Sequence, residues 1–372
     1  MVHPDASRMV GEVQAMRRIQ KIAFITGSME AGGAERVIAT LSNEFVNCGI
    51  EVAIFCIGKT ASDAAYEYDP RIELIGIHSD SRGFIIRKLK QLWRLRCQIK
   101  AFRPDSIIAF QDYINIQTIA ACFGLGIPIT ISIRANPAVA TKTYKIGARI
   151  FYKFADSAVF QTREQQDFYA KNKKRKDAII LNPVDISKIL STNCENKTHC
   201  IISVGRLTPV KNFQLLIRAF HLISKDFPSI ELIIFGEGEQ RDALERLRAE
   251  LDLEKRVSLP GVVSNVFEHV ANAKMFVMTS ICEGLPNALI EAMCLGVPCI
   301  STRFLGGGAQ TLIQDGVNGL LTPNNDCEAL ASAMRRLLSD DELAQNLGEN
   351  AKILRQKVDT RTIANEWLDF LE

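Results

Sequence analysis

Short β-branched runs alternate with helix-length amphipathic stretches along almost the whole chain, and that alternation leaves few architectures open. A strand that feeds a helix and then another strand of the same sheet yields a parallel sheet with helices on its faces. The first series of runs is Lys21–Thr26, Glu51–Cys56, Ile72–Ile77, Ser106–Phe110, Pro128–Ile133, Ser157–Phe160 and Ala178–Leu181. A second series follows, with His199–Val204, Ile230–Phe235, Arg256–Leu259, Met275–Met278, Pro298–Ser301 and Gly319–Leu321. Between them, Asn182-Pro-Val-Asp and the polar stretch Ser191–Thr198 read as a linker. The 372 residues are enough for two such units, each with its own core. The fold class is therefore α/β, with two Rossmann-like, doubly wound domains. The expected boundaries are an extension at 1–20, a first domain at 21–185, a linker at 186–198 and a second domain at 199–345. The amphipathic helices of 346–372 are expected to cross back onto the first domain.

Composition excludes several classes. Hydrophobic residues at 47% and charged residues at 23% are those of an ordinary globular protein. No apolar run approaches the roughly 20 residues that span a bilayer. The first eighteen residues contain acids and lack an apolar core, so they do not read as a secretory signal. The 10 cysteines include no C-x2-C pair, and His3, His78, His199, His221 and His269 are scattered without ligand spacing. Neither a zinc site nor a disulfide framework is expected, and the setting implied is a reducing cytoplasm. Charge is uneven: 26 basic against 18 acidic side chains through Asp185, then 19 against 24 beyond it. The two halves are expected to meet different partners.

The stretch richest in chemistry is Glu283-Gly-Leu-Pro-Asn-Ala-Leu-Ile-Glu291. At about 100° per residue, eight steps return Glu291 near the azimuth of Glu283, about two turns along. Gly284, Leu285 and Pro286 precede the helix, whose free N–H groups and positive dipole end suit an anion lying between the two acids. A nucleotide-sugar has that form, with hydroxyls at both ends and a diphosphate between. An ordinary surface helix with an acidic start would give the same pattern.

Other glycine-bearing loops follow strands. Gly32-Gly33-Ala-Glu-Arg36 opens a helix after the first strand, either as a ligand loop or as a simple turn, and it lacks the three-glycine dinucleotide spacing. Gly205-Arg206-Leu-Thr-Pro-Val-Lys211-Asn212 follows the first strand of the second domain, where Arg206 and Lys211 can clamp phosphates or stand as solvated cations. It is not a Walker A loop. Gly236 and Gly238, Gly261-Val262-Val263 and Gly306-Gly-Gly308 occupy similar strand-end positions. Because ligands of doubly wound sheets bind beyond the strands' carboxyl ends, these loops should converge on one crevice.

The segment Phe84–Arg103 carries seven cations and no acid. Its Ile85, Leu89, Leu92, Trp93, Leu95 and Ile99 can share one apolar face, with Arg87, Lys88, Lys90, Arg94, Arg96 and Lys100 largely elsewhere. That composition fits a helix docked on an anionic membrane surface, and equally a domain helix with a solvated basic face. Lys171–Lys176 forms a second basic cluster. Nucleic acid is not an expected partner, since no binding signature is present and the second half is acidic.

Taken together, these elements resemble the family 4 retaining glycosyltransferases of the GT-B fold, in which the two domains face an interdomain cleft. The resemblance rests on Ser28-Met-Glu-Ala-Gly-Gly-Ala-Glu-Arg36, Gly205-Arg206 with Lys211-Asn212, Phe235-Gly-Glu-Gly238 and the Glu283–Glu291 stretch, in family order from about Lys21 to the end. It implies that Arg206 and Lys211 neutralise the donor diphosphate and that Glu291 holds the ribose hydroxyls. Glu283 and the Gly284, Leu285 and Pro286 amides would hold the transferred sugar. The Gly32-Gly33 loop would close over the phosphates, and Gly261, Val262 and Val263 would lie near the base. No metal ion and no cofactor are expected, and transfer would retain anomeric configuration. One departure stands out: Ile131-Ser-Ile-Arg134-Ala-Asn136-Pro places Arg134 where many relatives carry a histidine. Arg134 is expected to contact an acceptor or donor diphosphate.

The resulting expectation is a hexosyl- or N-acetylhexosaminyltransferase using a nucleotide-sugar, with a UDP-sugar favoured. The acceptor would be a lipid-linked saccharide at the cytoplasmic face of the inner membrane, with the protein peripheral there. Transfer to a soluble acceptor, as in sucrose- or glycogen-type enzymes, is a same-fold alternative. A non-catalytic nucleotide-sugar-binding protein is an alternative of another class. A nucleotide-sugar epimerase would need other acid–base residues, which are not found.

Overall fold

The computed structural model describes residues 18–30, 32–58, 65–79, 83–134, 140–169, 175–192 and 198–372. They form two compact units. One takes the described residues up to Gln161, with Gln165–Pro183 and Thr360–Glu372; the other takes Thr162–Glu164 and Val184–Asp359. Most of the basic cluster at 171–176, most of the polar stretch at 191–198 and nearly all of the extension at 1–20 lie outside the described residues.

The first unit is built on β1 (Lys21–Thr26), β2 (Glu51–Cys56), β3 (Glu73–Gly76), β4 (Ser106–Phe110), β5 (Ile129–Ser132), β6 (Ser157–Phe160) and β7 (Lys176–Ile179). They lie in the order β3-β2-β1-β4-β5-β6-β7, and every neighbouring pair is parallel. The last strand sits two residues earlier than the expected Ala178–Leu181, because its pairing begins with Lys176 opposite Ser157. Both faces are covered, so strands such as Ser106–Phe110 are buried at every position.

The helix Gly33–Asn47 shows why these segments fold as they do: Val37, Ile38, Leu41 and Phe45 recur at helical spacing and are all buried against the sheet. The final helix, Thr360–Leu371, belongs to this unit as well. It sinks Ile363, Ala364, Trp367 and Leu368 into the core that holds Phe24, Phe45 and Phe110, and Trp367 stacks on Phe110 with ring centroids 5.9 Å apart. The helices from Asp341 to Val358 remain in the second unit.

The second unit contains β8 (Cys200–Val204), β9 (Glu231–Phe235), β10 (Val257–Gly261), β11 (Met275–Met278), β12 (Cys299–Thr302) and β13 (Leu320–Thr322). Their order is β10-β9-β8-β11-β12-β13, again parallel throughout. Asn182 is no linker residue: it is buried, and its side chain is hydrogen-bonded within the first unit. The chain then enters a short helix, Ile186–Leu190, whose first amides are capped by Asp185.

Cysteine behaves here as a small hydrophobe. Burial pushes the thiols of Cys56, Cys122 and Cys294 up to about 12, and that of Cys299 upward as well. The anchoring of the last helix can be checked directly. Trp367 is fully buried, so Trp367→Ala should lower unfolding stability by about 3–5 kcal/mol in urea titrations. A loss under about 1 kcal/mol would mean that the helix is not part of this core.

Candidate active site

In a doubly wound sheet the strand order reverses at one point, and the loops on either side of it diverge to opposite faces. In the second unit that point lies between β8 and β11. After β8 the chain passes through Gly205 and the exposed Arg206 into the 3-10 turn Pro209–Lys211. Asn212 then takes a left-handed conformation, φ 50°, and starts the helix Phe213–Ile223. After β11 come Thr279 and Ser280, both buried, and then Glu283.

The two loops are tied together across the reversal. Ile281 N donates to the Val210 carbonyl at 2.7 Å, and Thr279 Oγ1 donates to the Lys211 carbonyl at 3.0 Å. The decisive contact is ionic: Lys211 Nζ lies 2.6 Å from Glu283 Oε1, with both side chains 20% exposed. Ser280 Oγ also donates to Glu283 Oε1, at 3.1 Å. The family resemblance gives Lys211 to a diphosphate and Glu283 to a sugar, with no contact between them foreseen. The structure instead shows a fixed pair, which still leaves two of the three ammonium protons for another acceptor.

Beyond Glu283, Gly284 and Leu285 lead to Pro286, which precedes the helix Asn287–Leu295 without any side-chain cap. The first amides of a helix have no intrahelical acceptor, so this end attracts anions. The helix starts four residues after Glu283. The two-turn separation inferred for Glu283 and Glu291 therefore does not hold; only Glu291, half-buried in the second turn, is helical. The loop after β12 pins this segment: Glu283 N donates to the Leu305 carbonyl at 3.0 Å. At Gly308 an added Cβ would sit 1.8 Å from the Gly284 carbonyl oxygen, so that glycine is set by close backbone approach.

The strand-end glycines have a similar explanation. Gly236, at φ 138°, would carry a Cβ 1.9 Å from the Gly205 carbonyl oxygen, and Leu207 N donates to the Glu237 carbonyl. At Gly238 an added Cβ would sit 2.4 Å from the Leu207 carbonyl oxygen. These glycines let the loops after β8 and β9 lie side by side. Gly236 N donates to the Gly261 carbonyl at 2.8 Å, which brings in the loop carrying Val262, exposed, and Val263, half-buried. The expected convergence of strand-end loops is thus a bonded array within this unit.

Within the first unit, Gly32 is extended, at φ −164° and ψ 162°, and starts the helix Gly33–Asn47. An added Cβ there would meet Glu35 Oε2. Glu35 is buried and accepts a hydrogen bond from Gln111 Nε2. Gln111 follows β4 and holds a strained φ of 78°. The polar pair thus joins elements beside the reversal between β1 and β4. Arg134 follows β5 and is held by Ser132 and Asn182.

The basic helix is Phe84–Phe102. Its broad apolar face is only partly covered. Leu95 and Ile99 are buried in the core, whereas Phe84, Ile85, Ile86, Leu89 and Trp93 are 54–72% exposed. Two of its cations are occupied: Arg96 Nη1 donates to the Ala121 and Phe123 carbonyls at 2.8 Å, and Arg94 Nη1 to the His78 carbonyl. Arg87 and Lys88 line a hollow of about 360 Å³ with Gly58, His78 and Gln91. Lys90 and Lys100 are exposed.

Two parallel, doubly wound sheets with helices on both faces define a fold of the GT-B type. Family models agree: residues 31–188 match "Glycosyltransferase Family 4" and residues 188–354 match "Glycosyl transferases group 1". The chain belongs to the family 4 glycosyltransferases. It is 29% identical over 360 residues, covering 95% of this chain and 98% of the relative, to the Campylobacter jejuni GalNAc-alpha-(1->4)-GalNAc-alpha-(1->3)-diNAcBac-PP-undecaprenol alpha-1,4-N-acetyl-D-galactosaminyltransferase. A second Campylobacter jejuni protein, the N-acetylgalactosamine-N,N'-diacetylbacillosaminyl-diphospho-undecaprenol 4-alpha-N-acetylgalactosaminyltransferase, is 28% identical, over 95% of this chain and 100% of its own. Anabaena Alr3699/HepE, solved with UDP, superposes with a TM-score of 0.80 at 20% identity, over 94% of this chain and 99% of that one.

Ser280 and Gln111 belong to no motif of the sequence, and Asn182 reads there only as the start of a linker. Each is a common polar residue just past a strand, and only the strand-end position itself could have flagged them. The ion pair makes a testable claim. A double-mutant cycle on Lys211→Ala and Glu283→Ala, read by denaturant unfolding, should give a coupling of about 0.5–3 kcal/mol. Simple additivity would show that the two side chains do not act as a pair.

Proposed function

We propose that the protein is a retaining, metal-independent glycosyltransferase that moves a hexose or N-acetylhexosamine from a UDP-sugar to a lipid-linked saccharide at the cytoplasmic membrane face. The observation that carries this reading is the Lys211–Glu283 pair, joined across the β8/β11 reversal beside the uncapped start of Asn287–Leu295. A diphosphate in this position would meet the second and third protons of Lys211, the Arg206 fork and the helix amides. Glu283 and the Gly284–Pro286 backbone would then face the sugar, and Glu291 the ribose hydroxyls.

The chemistry is electrostatic. As the sugar–phosphate bond breaks, negative charge grows on the leaving diphosphate, and fixed cations and amides stabilise it without reorganising. They supply the positive charge that a metal ion provides in other transferases. Front-face attack, with the departing phosphate taking the acceptor proton, keeps the anomeric configuration. UDP is favoured because the similarly folded Alr3699/HepE was solved with it. The lipid-linked acceptor is favoured because the undecaprenol-linked saccharide transferases are similar over nearly the whole chain.

Membrane contact is supported by the basic helix. Exposed Ile85, Leu89 and Trp93 lie among exposed Arg87 and Lys90, a combination suited to an anionic interface. Among the described residues no helix is long and apolar enough to cross a membrane.

Glu283→Ala and Glu291→Ala should each cut kcat/KM for transfer by about 1.5–3 kcal/mol while leaving the fold intact. Near-normal turnover in both would remove the basis of the assignment. NMR of the product should show the donor's anomeric configuration, and EDTA should leave the rate unchanged; inversion, or a manganese-restored rate, would overturn the mechanism. The triple variant Arg87→Glu, Lys90→Glu, Trp93→Ser should no longer sediment with vesicles rich in anionic lipid, and wild-type binding should weaken with salt. Unchanged sedimentation of the variant would make the helix an ordinary solvated one.

A further inference from the structure

Arg134 sits just past β5, on the carboxyl edge of the first sheet. Its Nε donates to Ser132 Oγ at 2.8 Å and its Nη1 to Asn182 Oδ1 at 2.6 Å. With the Gln161 amide turned to satisfy its surroundings, that oxygen accepts a further bond from Nη1 at 3.0 Å. The guanidinium carbon lies 4.4 Å from the centre of the Phe110 ring, and Phe110 is itself stacked on Trp367. The group is therefore immobilised from three sides by β4, β5, β6 and β7 neighbours.

Every one of those holders is neutral. Among the described residues no carboxylate pairs with Arg134, and burial alone lowers its pKa to about 9, so it remains cationic at neutral pH. The same unit shows how a buried arginine is ordinarily neutralised: Arg175, buried, holds Asp177 at 2.6 Å. Even a half-buried charge keeps part of its desolvation cost when no counter-ion offsets it, and a bound anion would supply that opposite charge. The remaining terminal nitrogen, Nη2, makes no hydrogen bond to any described residue. A planar guanidinium fixed through its other nitrogens is pre-organised to present that end to a phosphoryl oxygen.

We propose that Arg134 is the charged centre of an anion subsite on the carboxyl edge of the first unit, filled by a phosphoryl oxygen of a diphosphate. Ser132 and Asn182 are its positioning residues. Whether the diphosphate belongs to the acceptor or to the donor rests on the transferase reading above; the anion subsite itself does not.

The test is calorimetric titration of inorganic pyrophosphate, and separately of UDP, into the full chain and into Asn182→Asp and Arg134→Gln. Asn182→Asp keeps the side-chain volume and supplies the missing carboxylate from within, so it should raise Tm while weakening pyrophosphate by about tenfold or more. Arg134→Gln should weaken it similarly. Arg134-dependent pyrophosphate binding that survives saturating UDP assigns the subsite to the acceptor's diphosphate. Competition by UDP, with UDP itself weakened in both variants, assigns it to the donor's. Affinities for both probes within about twofold of wild type in both variants would overturn the subsite, as would a lowered Tm in Asn182→Asp with pyrophosphate binding intact. None of these readouts depends on transfer activity.

Discussion

Parallel pairing sends every strand of a sheet the same way, so all carboxyl ends share one edge, and the reversal in strand order opens a gap on that edge. In the second unit the gap lies between β8 and β11, and the loops leaving those strands have no ladder bonds to hold them together. Contacts that join them include a backbone bond from Ile281 to Val210, a bond from the Thr279 hydroxyl to the Lys211 carbonyl, and the Lys211–Glu283 pair. The geometry of the candidate site depends on that junction. It fixes where the ammonium lies, and through Glu283 it fixes the approach to the helix Asn287–Leu295.

The junction also explains residues that carry no charge. Loops can lie side by side only where a side chain is missing, which is why Gly236 backs onto Gly205 and Gly308 onto Gly284. A ligand-contact reading of these glycines and a packing reading are therefore linked: the glycines bring backbone amides together, and the assembled amides can then meet a ligand.

Strand identities were legible because a buried parallel strand needs a nearly continuous apolar run, and runs such as Met275–Met278 have no other plausible role. The strand-end loops were legible because Gly, Arg, Lys and Glu there are unusual after such runs. Pairing was not legible. Lys211 and Glu283 are far apart in sequence, and nothing in either local pattern says that one will neutralise the other. The basic helix was half-read for a related reason. Helical periodicity placed Leu95 and Ile99 on an apolar face, but neighbouring elements decide which part of a broad apolar surface is covered, and here Ile85, Leu89 and Trp93 stay exposed. Asn182 looked like a linker because Asn-Pro commonly ends regular structure. Its burial follows from a partner, Arg134, distant in sequence.

The two cations treated most differently by the fold are Lys211 and Arg134. Lys211 is shared with a carboxylate in a setting still one-fifth open to solvent, where water and Glu283 together keep the charge inexpensive. An ammonium so placed can turn two protons towards an arriving anion without being stripped of its partner. Arg134 is half-buried and held by neutral groups alone. Dipoles orient such a charge but do not cancel it as a carboxylate does, so an incoming anion meets more of its charge than of the paired Lys211. A carboxylate-paired charge with protons to spare suits a group that meets developing negative charge during bond cleavage; a charge held in place by neutral dipoles suits a group that selects and places a ligand beforehand.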